Sequence, residues 1–340
     1  MREGAAASSP VASEAHFAGE DGLPLPTYEP VWALLRTFYG VDMPARVTIV
    51  LVDGSGGHFD TDRSRIVLGR DELKVSGPAL VAHETSHLCL AVLTRGASAT
   101  DPFRFLDEGF ASILEARAAN REAEYTEEAL AIAAIELRKG RAGFDLLQRW
   151  SEYFGDWQGR DPTNGSGRPR NYDAYRVGAS FELWVIQRYG EPRLGELFVA
   201  IGKIRSLDPA LVEVLGEPPS QVEAEWKAYL SSAKIPNDTP SIVELVPADG
   251  ATDVSPGLTE ITARFSVPMN RSVVNLGADC KTGICYTNAS WTSPTVLSVR
   301  LPVGLKGEAS YAVSLGMEGH ALRSRYGHDL PVTTWRFNTR

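Results

Sequence analysis

Between Pro78 and Leu93 the chain is apolar on almost every side, yet it carries His83, Glu84 and His87. Leu80, Val81, Ala82, Leu88, Leu90, Val92 and Leu93 surround these polar residues, so the pattern predicts a buried helix. Pro78 suits its first position, where a missing N–H costs nothing. Two histidines at i and i+4 project from one face of that helix, a turn apart. Buried polar groups need partners, because unpaired burial costs kilocalories per group. A single zinc ion taken by both imidazoles supplies one, and Glu84, rotated off the ligand direction, can address a water bound to it.

A catalytic zinc takes three protein ligands and keeps one position open. The next acidic candidates stand in Phe105-Leu106-Asp107-Glu108-Gly109-Phe110-Ala111-Ser112. Phe103, Leu106, Phe110 and Ile113 form one apolar stripe of a second helix, and Glu108 points away from it. Gly109, Ala111 and Ser112 are small, which suggests a close approach to the histidine helix. Glu108 is therefore the expected third ligand of one Zn2+ ion. Asp107 either supports a ligand or faces solvent.

The rest of the chain bounds the fold around this motif. A length of 340 residues allows about two domains. With 43% hydrophobic and 23% charged residues the composition is globular. No apolar run approaches the ~18 residues of a membrane helix. A net charge of −9 argues against broad nucleic-acid binding. That charge is uneven: residues 240–340 carry net +1 and the preceding part net −10, so two segments of different character are expected.

Residues 1–27, rich in Ala, Ser, Gly and Glu, read as a flexible lead-in without the apolar core of a secretory signal. The chain is then either cytoplasmic or starts after a removed signal. Residues 28–233 read as an α+β domain, a small sheet followed by a mainly helical part. Its strands are Arg46–Val52 and Ser64–Gly69, separated by a Gly-rich turn at Asp53–Gly57. Asp101-Pro102 looks like a capped helix start, Thr126–Gly140 an amphipathic helix with a glycine stop, and Gly155–Asn171 a long loop. That loop, with Trp157, Arg168 and Arg170, either covers a cleft or is plain surface. Residues 234–240 are a linker. Beyond it, ITARFSV, TVLSVRL, YAVSL and TTWRF, separated by turns, predict an all-β sandwich over 241–340.

Cys89 reads as a small buried hydrophobe. Cys280 and Cys285 frame a turn-like run around Gly283; they close a disulfide if their Cα atoms come within about 7 Å, which would place the chain in an oxidising compartment, or they stay free thiols. A second zinc site at His320 and His328 lacks a recognised spacing.

His83-Glu84-Thr85-Ser86-His87, followed after twenty residues by the glutamate of LDEGFA, resembles the gluzincin (peptidase MA-like) metallopeptidases. That resemblance implies a zincin-like fold, zinc held by His83, His87 and Glu108, and Glu84 as general base toward a peptide or protein substrate. YRVGASF from Tyr175, RYG from Arg188 and VEAEW from Val222 look like the helical end of bacterial members, in which a tyrosine stabilises the oxyanion. Tyr175 is the first choice and Tyr172 the alternate. Strand Ser64–Gly69 is expected at the cleft edge, binding extended substrate.

Two departures qualify the likeness. A Gly-x-Met-Glu-Asn motif is missing, which favours an endopeptidase over an aminopeptidase. Ser112 stands where thermolysin-like enzymes have an aspartate, which leaves the groups behind the ligands unassigned. VPADGATDVSPGLTEITARFSVPMN and WRFNT resemble the bacterial Ig-like domains of surface-layer and other exported proteins. This implies export and a cell-surface or protein partner. The competing reading is a catalytically silent zincin scaffold that binds a partner through its Ig-like domain. A third is a zinc hydrolase of non-peptide amides or esters.

Overall fold

The computed structural model describes residues 15–39, 43, 45–54, 57–60, 63–70, 73, 77–154, 173–271, 276–277, 284, 288–316 and 321–340. They divide into two compact units. The first takes residues up to 125 together with 144–153 and 178–226, and the second takes 126–143, 154–177 and 227–340. This division differs from a simple boundary in the linker, because two helical stretches group with the C-terminal part.

In the first unit, β1 (Phe17–Gly19), β2 (Val47–Val52), β3 (Gly57–Asp60) and β4 (Arg65–Gly69) form one sheet in the order β1-β2-β4-β3. β1 and β4 run parallel to β2, and β3 runs antiparallel to β4 with Gly57 opposite Leu68 and Asp60 opposite Arg65. The expected lead-in over 1–27 is thus structured from Phe17, which is fully buried and T-stacked on Trp32. The expected cleft-edge strand is corrected as well. β4, the Ser64–Gly69 run, is interior, and the edge strand beside it is β3, which begins at the last residue of the expected glycine turn. Pairing partners set edge position, and they are not written in a strand's own composition.

α1 (Glu29–Tyr39) precedes the sheet's second strand, and α2 (Pro78–Leu93) carries the histidines. Eleven of the sixteen residues of α2 are buried, which accounts for its apolar composition on all sides. α3 (Asp101–Ala118) packs along α2. Its start differs from the expected aspartate cap: Thr100 is the cap residue, and Asp101 instead accepts hydrogen bonds from Ser151 Oγ (2.5 Å) and Ser151 N (3.4 Å). After α4 (Glu122–Arg138) come two short helices, α5 (Phe144–Leu147) and α6 (Trp150–Phe154). Then follow α7 (Asp173–Tyr189), α8 (Glu191–Ile204), α9 (Leu207–Leu215) and α10 (Pro219–Ser232). Phe144 stacks on Trp226, Phe181 meets Trp226 edge-on, and the Trp226 indole N–H donates to Ser180 Oγ.

Gly109 and Gly178 have a specific packing role. A Cβ on Gly109 would lie 2.7 Å from the Ala179 nitrogen, and one on Gly178 would lie 2.5 Å from the Phe105 carbonyl oxygen. The small residue beside Glu108 therefore serves contact with α7, and not the expected approach to the histidine helix.

In the second unit, β5 (Ile242–Val246), β7 (Glu260–Phe265), β10 (Val296–Arg300) and β9 (Ala289–Ser293) form one sheet in that order. β6 (Ala251–Val254), β12 (Thr333–Thr339), β11 (Ser310–Leu315) and β8 (Leu276–Gly277) form another. Ile261, Phe265, Leu297 and Val299 from the first share one core with Val313, Leu315, Trp335 and Phe337 from the second. Two sheets around a common apolar layer make a sandwich, as the alternating runs predict. Met269, from SVPMN, is buried in that core. The loop after β11 meets helical segments of the same unit. Arg325 pairs with Glu127 at 2.9 Å, Arg323 pairs with Asp173, and Gly327 backs onto Ile132 and Ile135.

Candidate metal centre

α2 places His83 and His87 one turn apart, with ring centroids 4.8 Å from each other. α3 lies beside it and delivers Glu108 between them. Glu108 Oε2 is 3.5 Å from His83 Nε2 and 3.5 Å from His87 Nε2. A ligand atom from each residue lies within 4.8 Å of the others. Four ligands about 2.0–2.1 Å from a zinc ion stand about 3.3–3.4 Å apart by tetrahedral geometry, so the two 3.5 Å separations fit such an ion.

The groups behind the imidazoles reinforce that fit. His83 Nδ1–H donates to Glu115 Oε2 at 2.9 Å, which turns Nε2 toward Glu108. Asp107 is fully buried, with Oδ1 2.9 Å from His87 Nδ1. Two imidazole nitrogens and a carboxylate oxygen thus converge on one point, where a cation would take the place of the imidazole protons. Burial lowers the His83 imidazole, but Glu108 and Glu115 outweigh it and hold the group well above its ordinary value. Burial raises the Glu108 carboxyl, but His87, His83 and Arg104 outweigh it and keep the group well below the usual carboxylate range.

Of the two readings open for Asp107, exposure to solvent is ruled out by its complete burial, and its carboxylate lies against His87. Glu115 and Arg104 escape a reading of the sequence by motif. Glu115 lies seven residues after Glu108, two turns along the same helix face, and that spacing is its signal. Arg104, one turn before Glu108, donates to Glu108 Oε1 at 2.6 Å and stands 3.0 Å from Asp107 Oδ2.

Glu84 is buried, and burial pushes its carboxyl up while His83 and His87 pull it down. Gly57 of the edge strand passes directly over it. Phe59, two residues along, stacks on His87 with centroids 4.9 Å apart. Behind the centre, Glu182 is fully buried with neither carboxyl oxygen hydrogen-bonded among the described residues. Tyr39 Oη shares a 2.8 Å hydrogen bond with Ser86 Oγ.

The structure brings His83, His87, Glu108 and Glu84 together within the first unit. Tyr175 belongs to the second unit, in the first turn of α7, where its ring meets Phe154 edge-on at 5.4 Å. Tyr172, Cys280, Cys285, His320 and the loop 155–171 lie outside the described residues. His328 is hydrogen-bonded at Nε2 to the Pro236 carbonyl at 2.9 Å. Cys89 is a buried free thiol, pushed up by burial.

The bacterial Ig-like family pattern matches the chain over residues 236–339. This stretch of the chain is a bacterial Ig-like domain. The two sheets of the second unit, from β5 to β12, belong to it, and its first matched residues include the Pro236 that holds His328. No curated protein matches the chain. Among solved structures, the N-terminal part of the bacterial S-layer protein SbsC aligns at 13% identity, covering 78% of this chain and 71% of that one, with a TM-score of 0.21. The S-layer protein rSbsC(31-844) aligns at 12% identity over 80% of this chain and 42% of that one, with a TM-score of 0.20. Scores this low carry no argument about fold. Among the described residues, no helix is long and apolar enough to cross a membrane.

Proposed function

We propose that the N-terminal part is a zincin-like, zinc-dependent endopeptidase in which His83, His87 and Glu108 hold one ion. The observation that carries this reading is Glu108 Oε2 standing 3.5 Å from each of two imidazole Nε2 atoms, with the buried Glu84 carboxyl alongside. A bound zinc ion would supply a Lewis acid and a water of lowered pKa. Glu84, as general base, takes the proton of the attacking water and returns it to the leaving amine. The rise that burial gives its carboxyl suits a group that must both accept and release a proton. Among the described residues no strand lies beyond β3, so its outer edge offers a backbone ladder on which a peptide can lie extended, with Gly57 close against Glu84. Glu115 and Asp107 orient the imidazoles through Nδ1. By the family resemblance, the oxyanion donor is Tyr175, with Tyr172 the alternate.

The Ig-like domain supports export and a surface or protein partner. It also supports a second reading, a silent zincin scaffold that binds its partner through that domain. Elemental analysis of the purified protein combined with digestion of unstructured casein separates the two. One equivalent of zinc with chelator-sensitive cleavage supports the peptidase. One equivalent of zinc without cleavage supports the scaffold, and a metal-free protein removes both.

A further inference from the structure

Arg104 is joined to the centre at three points. Its Nη2–H donates to Glu108 Oε1 at 2.6 Å, its Nη1 lies 3.0 Å from Asp107 Oδ2, and its guanidinium carbon sits 5.6 Å from the Phe59 ring centroid. Glu108 Oε1 is the carboxylate oxygen turned away from the imidazoles, while Oε2 faces both of them. Phe59 in turn stacks on His87. The guanidinium is mostly buried, at 14% side-chain exposure, so its charge is only weakly screened by solvent.

We propose that Arg104 is a positioning residue that occupies Glu108 Oε1, leaves Oε2 alone to a divalent ion, and offsets the charge of the adjacent Asp107 and Glu108 carboxylates. This rests on the metal reading above. Two consequences follow from the charges and bonds. With Oε1 engaged, Glu108 is held as a one-oxygen ligand; a carboxylate freed at that oxygen is able to offer both. With the guanidinium present, the field at the ion is less negative than the ligand set alone would make it. Arg104 thus trades metal affinity for a fixed, open centre, which is the opposite of what a merely structural clamp would do.

The test measures metal binding and not turnover. The parent protein is stripped and titrated with cobalt(II) and zinc against a chromophoric chelator, and the visible ligand-field bands of the cobalt form are recorded. Arg104→Met is expected to bind both ions about tenfold more tightly, with cobalt bands weakened as the coordination number rises. Arg104→Lys, which keeps the charge, is expected to hold an affinity close to the parent's. Arg104→Gln repeats the neutral arm should the methionine variant fail to fold. A parent that binds no ion, or one whose binding survives Glu108→Gln unchanged, would sink the metal reading itself. A parent that binds one ion, with neutral variants of equal or weaker affinity and an unaltered cobalt spectrum, overturns the role of Arg104 and leaves the metal reading standing.

Discussion

Gly57 and Glu84 are fitted to each other: a Cβ added to Gly57 would stand 2.6 Å from Glu84 Oε1 and 3.0 Å from its carboxyl carbon. The edge strand therefore runs against the proposed base with no room for a side chain at this position. The obstructed atoms belong to a side chain, so Gly57→Ala is expected to displace the carboxyl and leave the backbone in place. Casein cleavage should fall by an order of magnitude or more while the melting temperature stays within a degree or two of the parent's, since the contact affects catalysis and little else. Unchanged turnover in that variant would show that Glu84 has freedom to move without consequence.

Glu84→Gln removes the proton acceptor but none of the three proposed ligands. Zinc content should remain at one equivalent, and the rate of peptide cleavage should drop by about 100-fold to 10,000-fold. Metal analysis and a fluorogenic-peptide assay on the same preparation check both halves. A variant as active as the parent would assign the base elsewhere.

His83→Ala removes one ligand and leaves Glu115 Oε2 without its imidazole partner. Zinc content is expected to fall close to zero. Ligand-linked stability amounts to about 4 kcal/mol at free metal a thousand times the dissociation constant, so the loss should appear as a lower melting temperature. Chelator treatment should lower the parent's melting temperature and leave the variant's almost where it was. Equal sensitivity of both proteins to chelator would mean that His83 is no ligand.

Glu182 gives a pH dependence. Burial raises its carboxyl well above the ordinary value, with Asp107 adding to the effect. The folded protein thus keeps a proton that the unfolded chain releases near pH 4.3, about the model-peptide value. The stability from that proton is whole below this pH and declines as the pH climbs toward the folded value, at about 1.4 kcal/mol per unit. Glu182→Gln has no such proton to lose. Urea denaturation of the metal-loaded proteins at rising pH should show the variant gaining on the parent. Parallel stability curves would mean that Glu182 ionises as readily folded as unfolded.

Gly109→Ala tests the helix crossing beside Glu108. The new methyl would stand 2.7 Å from the Ala179 nitrogen and 2.9 Å from the Gly178 carbonyl carbon, both backbone atoms that cannot swing aside. Overpacking of this kind costs about 1–3 kcal/mol, which chemical denaturation resolves. A neutral substitution would show that α3 and α7 separate easily.

Much of this molecule was legible in one dimension because helices and strands repeat with short periods. The fourfold spacing of His83 and His87 inside an apolar run specified a buried helix with two imidazoles on one face. The alternating runs from Ile261 to Phe337 specified a two-sheet sandwich. Glu108 could be chosen because it points off the apolar stripe of its own helix. None of these inferences needs more than local geometry. The partners of those residues were not legible, because they depend on which elements lie side by side. Edge strand β3 over Glu84, Asp107 behind His87, Arg104 on the far oxygen of Glu108 and the α3–α7 contact at Gly109 are all set by packing. A sequence carries its own periodicity from residue to residue, whereas proximity between segments far apart in the chain exists only after hydrophobic burial has chosen one arrangement of them.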